Sequence, residues 1–300
     1  VTQLGLIGRR TLAIALALLA SSAQAEPRRS RQERIKLKER SGLSAMGEQR
    51  KRLGWAKLDP KKESDYALAD ESFMLYTPRR KHRKAPGLFV WVSPGMTGVL
   101  PPFWEKSFEK YNLIAIGADN SGSERSLPTR IGLALDAVHG VQSRQAIDPE
   151  RIYVGGFSSG AQVACFLAFH YPELFRGVLL LGGVDFYRNV PVPGKRLLWR
   201  GRIPAPSKER IALAVRRTRF YMLSGEKDAE SRVQMEVVAG IMRKEDGYLY
   251  AKFREMKGLA HVVPGRSWFE RAVKFFDHPP LPKPRAEPGA AKKPAAPSDD

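Results

Sequence analysis

Apolar and polar positions follow two periods along this chain. Short β-branched and aromatic runs predict strands at 73–76, 88–92, 113–116, 152–154, 175–181, 219–224 and 249–256. Between them, apolar residues at helical spacing predict helices over 130–146, 161–171, 231–243 and 267–276. The first helix ends before Asp148-Pro149, a pair that cannot continue it. Strand and helix alternate from 65 to 278, the signature of an α/β fold with a mostly parallel central sheet and helices on both faces. The period disappears only between 184 and 210, where Pro191, Pro193, Pro204 and Pro206 interleave with Phe186, Tyr187 and Trp199. Such an insertion is expected over the C-terminal edge of the sheet, where ligands bind in open α/β folds.

Outside this region the pattern changes. Arg9-Arg10, the apolar run 11–20 and Ala23-Gln24-Ala25 read as a secretory signal peptide over 1–25, cleaved near Ala25, so the chain is expected to be exported, periplasmic or extracellular. The run is about ten residues, half of what a bilayer span requires. Residues 26–64 are rich in Arg, Lys, Glu and Gln with few large apolar side chains, and read as a basic, flexible arm. From 279 to 300, Pro, Ala and Lys dominate, which predicts a disordered tail.

Composition sharpens this picture in three places. Hydrophobic residues make up 43% of the 300, enough for a sizeable core. The net charge of +20 lies partly outside the folded region, and its basic arm could adhere to an anionic envelope or membrane surface. No nucleic acid is expected, because the basic runs carry no interleaved aromatics or reader motif. Cys165 is the single cysteine; no intramolecular disulfide can form, and its place on an apolar helix predicts a buried, structural thiol.

The candidate chemistry centres on Gly156-Phe157-Ser158-Ser159-Gly160. A strand precedes it and an apolar helix follows, so Ser158 stands at the apex of a tight turn, where a nucleophile is presented. Glycines two residues either side allow the strand and helix to approach closely. A serine nucleophile needs a base and a group that orients the base, in the order Ser, acid, His. His261 lies in the loop between the last strand and the last helix, and His278 at the edge of the tail; His261 is the base candidate. His82, His139 and His170 precede the acid or lie on helices and receive no role. Asp228 follows the 219–224 strand and is the acid candidate, with Glu226 and Asp185 as rivals. Ser159 N–H should supply one oxyanion-hole donor, and the loop after 88–92 the other: Met96 first, Gly95 second, since Pro94 has no N–H.

With these residues in place, the folded region resembles the α/β-hydrolase superfamily, and within it secreted esterases related to polyhydroxybutyrate depolymerases and feruloyl esterases. The resemblance is carried by Gly156-Phe-Ser-Ser-Gly160, by Ala146-Ile-Asp-Pro-Glu-Arg-Ile-Tyr-Val154, by Ser224-Gly-Glu-Lys-Asp228 and by His261, and spans most of 85–277. It implies a Ser158–His261–Asp228 triad and ester hydrolysis through an acyl-enzyme, on a small-molecule or polymeric ester. One position departs: where the family usually carries His-Gly, this chain reads Pro94-Gly95-Met96. No metal or organic cofactor is implied, since no ligand-spaced cluster and no G-x-G-x-x-G after a strand occurs. A peptidase or acyltransferase using the same residues, and a non-catalytic envelope-binding protein on this scaffold, are the other readings left open.

Overall fold

The computed structural model describes residues 31–54, 66–80 and 82–279. The expected signal peptide, the remainder of the arm and the tail from 280 lie outside the described residues.

Eight strands form the central sheet: β1 (Glu33–Ile35), β2 (Phe73–Tyr76), β3 (Gly87–Val92), β4 (Leu113–Ala118), β5 (Ile152–Phe157), β6 (Gly177–Leu181), β9 (Arg219–Gly225) and β10 (Ala251–Met256). Their order is β1-β2-β4-β3-β5-β6-β9-β10. β2 runs antiparallel to both neighbours, and all pairings from β4 to β10 are parallel. The insertion holds a separate ribbon, β7 (Val190–Pro191) and β8 (Leu198–Trp199).

Successive residues of a strand face opposite sides of the sheet, and the core divides accordingly. Leu88, Val90, Val154, Val178 and Met222 pack on one side against α3 (Leu127–Gln142), α4 (Ser159–His170) and α6 (Ala229–Lys244). Phe89, Trp91, Tyr153, Leu179 and Tyr221 pack on the other against α2 (Glu105–Lys110) and α7 (Arg266–Asp277). Both faces being covered, the central strands read as continuous apolar runs. The helix expected at 130–146 starts earlier, at Leu127, because Ser126 accepts a hydrogen bond from Thr129 N–H and Pro128 suits the first turn. Cys165 is buried as expected, and burial pushes its thiol pKa up.

The arm is the main correction. Residues 32–54, part of the 26–64 segment read as basic and flexible, fold onto the domain: β1 adds to the sheet edge with Ile35 opposite Phe73, and α1 (Met46–Leu53) buries Met46 and Leu53. The anchors are polar and therefore invisible to a hydrophobic pattern. Asp136 of α3, fully buried, accepts hydrogen bonds from Ser41 N–H at 2.8 Å and from the Tyr66 hydroxyl. Arg34 donates to Asp119 at 2.7 Å, and Arg52 donates to the His170 carbonyl at 3.0 Å. Gly140 leaves the space that Leu37 fills; a Cβ there would lie 2.5 Å from a leucine methyl. Arg34 and Arg52 of the arm thus serve as tethers within the fold.

α5 (Lys208–Arg217) and the insertion close over the end of α4, where His170 is wholly buried. Its Nε2–H donates to the Pro204 carbonyl at 3.1 Å. Burial, with Arg210 and Arg52 nearby, lowers its pKa from 6.5 to about 4. The folded state therefore rejects a proton that the unfolded chain accepts, so this contribution to stability is intact above pH 6.5 and is lost as pH falls to about 4. Urea-unfolding free energies measured across that interval should fall with acidification, and His170→Leu should flatten that part of the profile.

Candidate active site

Ser158 sits between β5 and α4 with φ 54° and ψ −119°, a backbone conformation that side-chain-bearing residues rarely adopt. Strain of this kind costs on the order of 1–3 kcal/mol and persists only where surroundings impose it. Two close approaches impose it here. A Cβ on Gly156 would lie 2.2 Å from the Gly160 carbonyl carbon, and one on Gly160 would lie 2.0 Å from the Val92 carbonyl oxygen. Only glycine lets α4 start directly over the ends of β3 and β5. Ser158 N–H donates to Leu181 O at 2.8 Å, which fixes the turn to β6.

Asp228 stands three residues past the end of β9, and His261 lies in the loop between β10 and α7. His261 Nδ1–H donates to Asp228 Oδ2 at 2.7 Å, which leaves Nε2 as the basic nitrogen. The imidazole is held on its other sides too. Its ring packs on Phe157 with centroids 4.6 Å apart, and a Cβ on Gly182 would come within 2.8 Å of its Cε1. The loops carrying acid and base are braced together by Lys227 N–H to Leu259 O at 2.9 Å and by Gly258 N–H to the Glu226 carboxylate at 2.8 Å. Behind them, the buried Trp104 indole donates to Pro264 O at 2.9 Å, which fixes the far end of the histidine loop.

Ser158 and His261 line one cavity of about 840 Å³, walled in part by the insertion. The Asp–His hydrogen bond is closed, whereas Ser158 Oγ makes no hydrogen bond among the described residues; serine and histidine are brought together only as walls of the same cavity. The rival acids have other places. Glu226 braces the turn at Gly258, and Asp185, nearly buried, lines the cavity floor beside Val184, its pKa raised by burial. His278, just past the end of α7, lines a separate groove together with Trp268. His139 lies on α3, and His82 lies in the loop between β2 and β3.

The expected oxyanion donors also differ in their surroundings. Gly95 N–H is already taken by Ser93 Oγ at 3.1 Å. Met96 N–H has no hydrogen-bond partner among the described residues, and Met96 is 46% exposed. Its loop is held by Asn120 N–H to Met96 O at 2.9 Å and by Ser123 N–H to Pro94 O at 3.0 Å. Ser159 N–H lies at the N-terminus of α4, where the helix dipole favours negative charge. Sequence reasoning missed Arg130, whose guanidinium reaches Ser159 Oγ at 3.3 Å, and Ser123, whose hydroxyl lies 2.7 Å from that same oxygen. A charged residue beginning an otherwise apolar helix run was the signal available for Arg130. Among the described residues no group of three or more His, Cys, Asp or Glu could hold a metal ion.

Solved structures share this architecture. Esterase 2 of Thermogutta terrifontis, phosphonylated by sarin, superposes with TM-score 0.50 and 15% identity over 71% of this chain and 90% of its own. The S-formylglutathione hydrolase of Staphylococcus aureus superposes with TM-score 0.50 and 12% identity, over 83% of this chain and 96% of its own. The fold is that of the α/β-hydrolases. Within the sequence, residues 118–201 match the family model described as esterase PHB depolymerase, a stretch that includes Ser158 and reaches into the insertion. The match supports a carboxylic ester hydrolase. No curated protein matches the sequence.

If Asp228 is the group that orients His261, Asp228→Asn should lower kcat on p-nitrophenyl acetate by about 10³–10⁴ with little change in KM, the size of effect seen when a triad acid is neutralised. Glu226→Gln should change kcat by less than about fivefold, because its carboxylate only braces a turn. Steady-state kinetics on the two variants decide between the acids.

Proposed function

We propose that this α/β-hydrolase cleaves carboxylic esters through an acyl-enzyme on Ser158. The observation that carries the reading is the 2.7 Å Asp228–His261 hydrogen bond in the wall of the cavity that a strained Ser158 also lines. In this mechanism, Ser158 Oγ attacks the ester carbonyl while His261 Nε2 takes its proton. The tetrahedral oxyanion is met by Ser159 N–H and Met96 N–H. As the intermediate collapses, the imidazolium gives its proton to the departing alcohol, leaving the acyl group on Ser158. Water then enters, His261 again serves as base, and the acid is released with the serine restored. Asp228 remains ionised throughout and stabilises the imidazolium.

The cavity favours a particular size and polarity of ester. Its walls are mainly polar, from Gln162, Asp185, Arg200, Arg202, Glu230 and Gln234, and apolar surface is confined to the Val184, Leu198 and Trp199 side. A long alkyl chain would desolvate these groups without pairing them, which costs more than its own burial returns. Short or polar acyl groups fit this lining. The same reading has the enzyme act outside the cytoplasm after cleavage near Ala25; its support is the signal-like pattern of 1–25.

The test is direct. A fluorophosphonate should label the protein at Ser158 one-to-one, and Ser158→Ala should abolish labelling and lower kcat by about 10⁵–10⁶. Across p-nitrophenyl esters, kcat/KM should be at least about tenfold higher for acetate or butyrate than for palmitate, the difference a few unpaired polar groups impose. Absence of both labelling and turnover would sink the proposal; a preference for palmitate would overturn the reading of the cavity alone.

A further inference from the structure

We propose that Arg130 is a positioning residue of the oxyanion hole, tying the loop that carries Met96 to the turn that carries Ser158 and Ser159. The inference rests on the esterase reading of the site.

Arg130 lies in the first turn of α3, and only 6% of the residue is exposed. Its guanidinium touches three separate loops. Nε–H donates to Ser121 O, after β4, at 2.6 Å; Nη2–H donates to Ser93 O, after β3, at 3.2 Å and to Ser159 Oγ, after β5, at 3.3 Å. Ser93 opens the turn whose third residue onward is Met96, and Ser159 is the residue after the nucleophile. The two N–H groups assigned to the oxyanion therefore come from two segments that share one guanidinium. Ser123 completes the clamp: its hydroxyl meets Ser159 Oγ at 2.7 Å and Pro94 O at 3.1 Å.

The charge of this group is as informative as its bonds. A buried guanidinium ordinarily faces a carboxylate, because an unpaired charge is costly away from water. Among the described residues, Arg130 pairs with none: its partners are two carbonyls and a hydroxyl. The neighbouring arginine, Arg125, is by contrast held by Glu71 at 2.8 Å. Burial lowers the Arg130 pKa to about 10, which leaves it charged at neutral pH. A fixed positive charge without a counterion, placed behind both donor segments, is preorganised for a negative charge that exists only once the carbonyl has been attacked. A purely structural arginine would be served equally well by a neighbouring acid; this one lacks it where the oxyanion forms.

The position also explains how Pro94-Gly95-Met96 can serve where the resembling family carries His-Gly. Pro94 has no N–H and Gly95 N–H is spent on Ser93 Oγ, so the donor has moved to Met96. A loop with its donor farther along needs an anchor at its start, and Arg130 holds the Ser93 carbonyl there.

The full chain, as wild type and as Arg130→Gln, Arg130→Lys, Ser159→Ala and the two double variants that combine Ser159→Ala with each Arg130 change, should be assayed on p-nitrophenyl acetate. Binding of phenylboronic acid, which forms a tetrahedral anion on a reactive serine, is measured in parallel. Arg130→Gln should lower kcat by about 10- to 100-fold with KM within about threefold, and weaken boronate binding by a similar factor. Arg130→Lys should recover part of both, and Ser159→Ala should cost less in the Arg130→Gln background than alone. A folded Arg130→Gln protein with kcat and boronate affinity within about twofold of wild type would overturn the proposal. If that variant gives no cooperative unfolding transition, the lysine variant carries the test: losses in Arg130→Lys and Ser159→Ala that simply add would overturn it. Wild-type protein that neither turns over esters nor binds boronate would bring down the esterase reading itself, whereas an inert Arg130 change would leave that reading standing.

Discussion

The end of this molecule that carries Ser158 depends on how closely one helix can start above the sheet. Gly160 lies against the Val92 carbonyl, where a Cβ would come within 2.0 Å of the oxygen. That contact pulls the first turn of α4 onto the ends of β3 and β5, and Ser158 is left with a positive φ because no relaxed backbone spans so short a turn. The conformation is held by what surrounds it. Ser158 N–H is fixed to β6, and nearly every residue of α4 is buried between the sheet and its neighbours. Relaxing the serine would therefore mean lifting an apolar helix out of the core, a far greater loss than the local strain.

The remaining parts of the site are placed by loops, and loops need fasteners. Asp228 and His261 approach each other because Glu226, Lys227, Gly258 and Leu259 stitch the two turns together, while Trp104 holds Pro264 from behind. The loop that carries Met96 is secured from the opposite side by Asn120, Ser123 and Arg130. Asp119 fastens the base of that loop: it accepts from Gly98 N–H at 2.8 Å and from Arg34 at 2.7 Å. Burial would raise its pKa, but these donors outweigh burial and hold it below the usual carboxylate range. Through Arg34, a residue of β1 supports the base of the loop that carries Met96. The strongly positive composition acquires a structural meaning here. Arg151 pins the start of β5 to Asp277 at 2.9 Å and to Tyr111 O, and Arg176 pins the start of β6 to Glu150. Much of the arginine within the described residues thus joins segments of the fold.

The central strands and four of the helices were legible because both faces of the sheet are covered: each central strand is an unbroken apolar run, α3 and α4 are apolar on nearly all sides, and α6 and α7 carry an apolar stripe. The places of Ser158, Asp228 and His261 were legible for a related reason: each sits within a few residues of a strand end, and strand ends are what the apolar runs mark. The N-terminal segment escaped the same reasoning. Its attachment depends on Ser41 and Tyr66 meeting a buried Asp136, and on Leu37 filling the space left by Gly140, contacts between residues about 70 to 100 positions apart in the chain. A local composition rich in Arg, Lys and Glu looks solvated until its partners are known.

What the sequence determined by itself was the order of elements and the residues carrying reactive groups, since periodicity and turn chemistry act over a few neighbouring positions. Only the tertiary structure decided which of those groups meet. It joins His261 to Asp228 and not to Glu226 by a single 2.7 Å hydrogen bond, gives the Gly95 N–H to Ser93, and sets Arg130 among three loops. Such choices turn on ångström distances between side chains far apart in the chain, and those distances are set by packing in three dimensions, which no local pattern encodes.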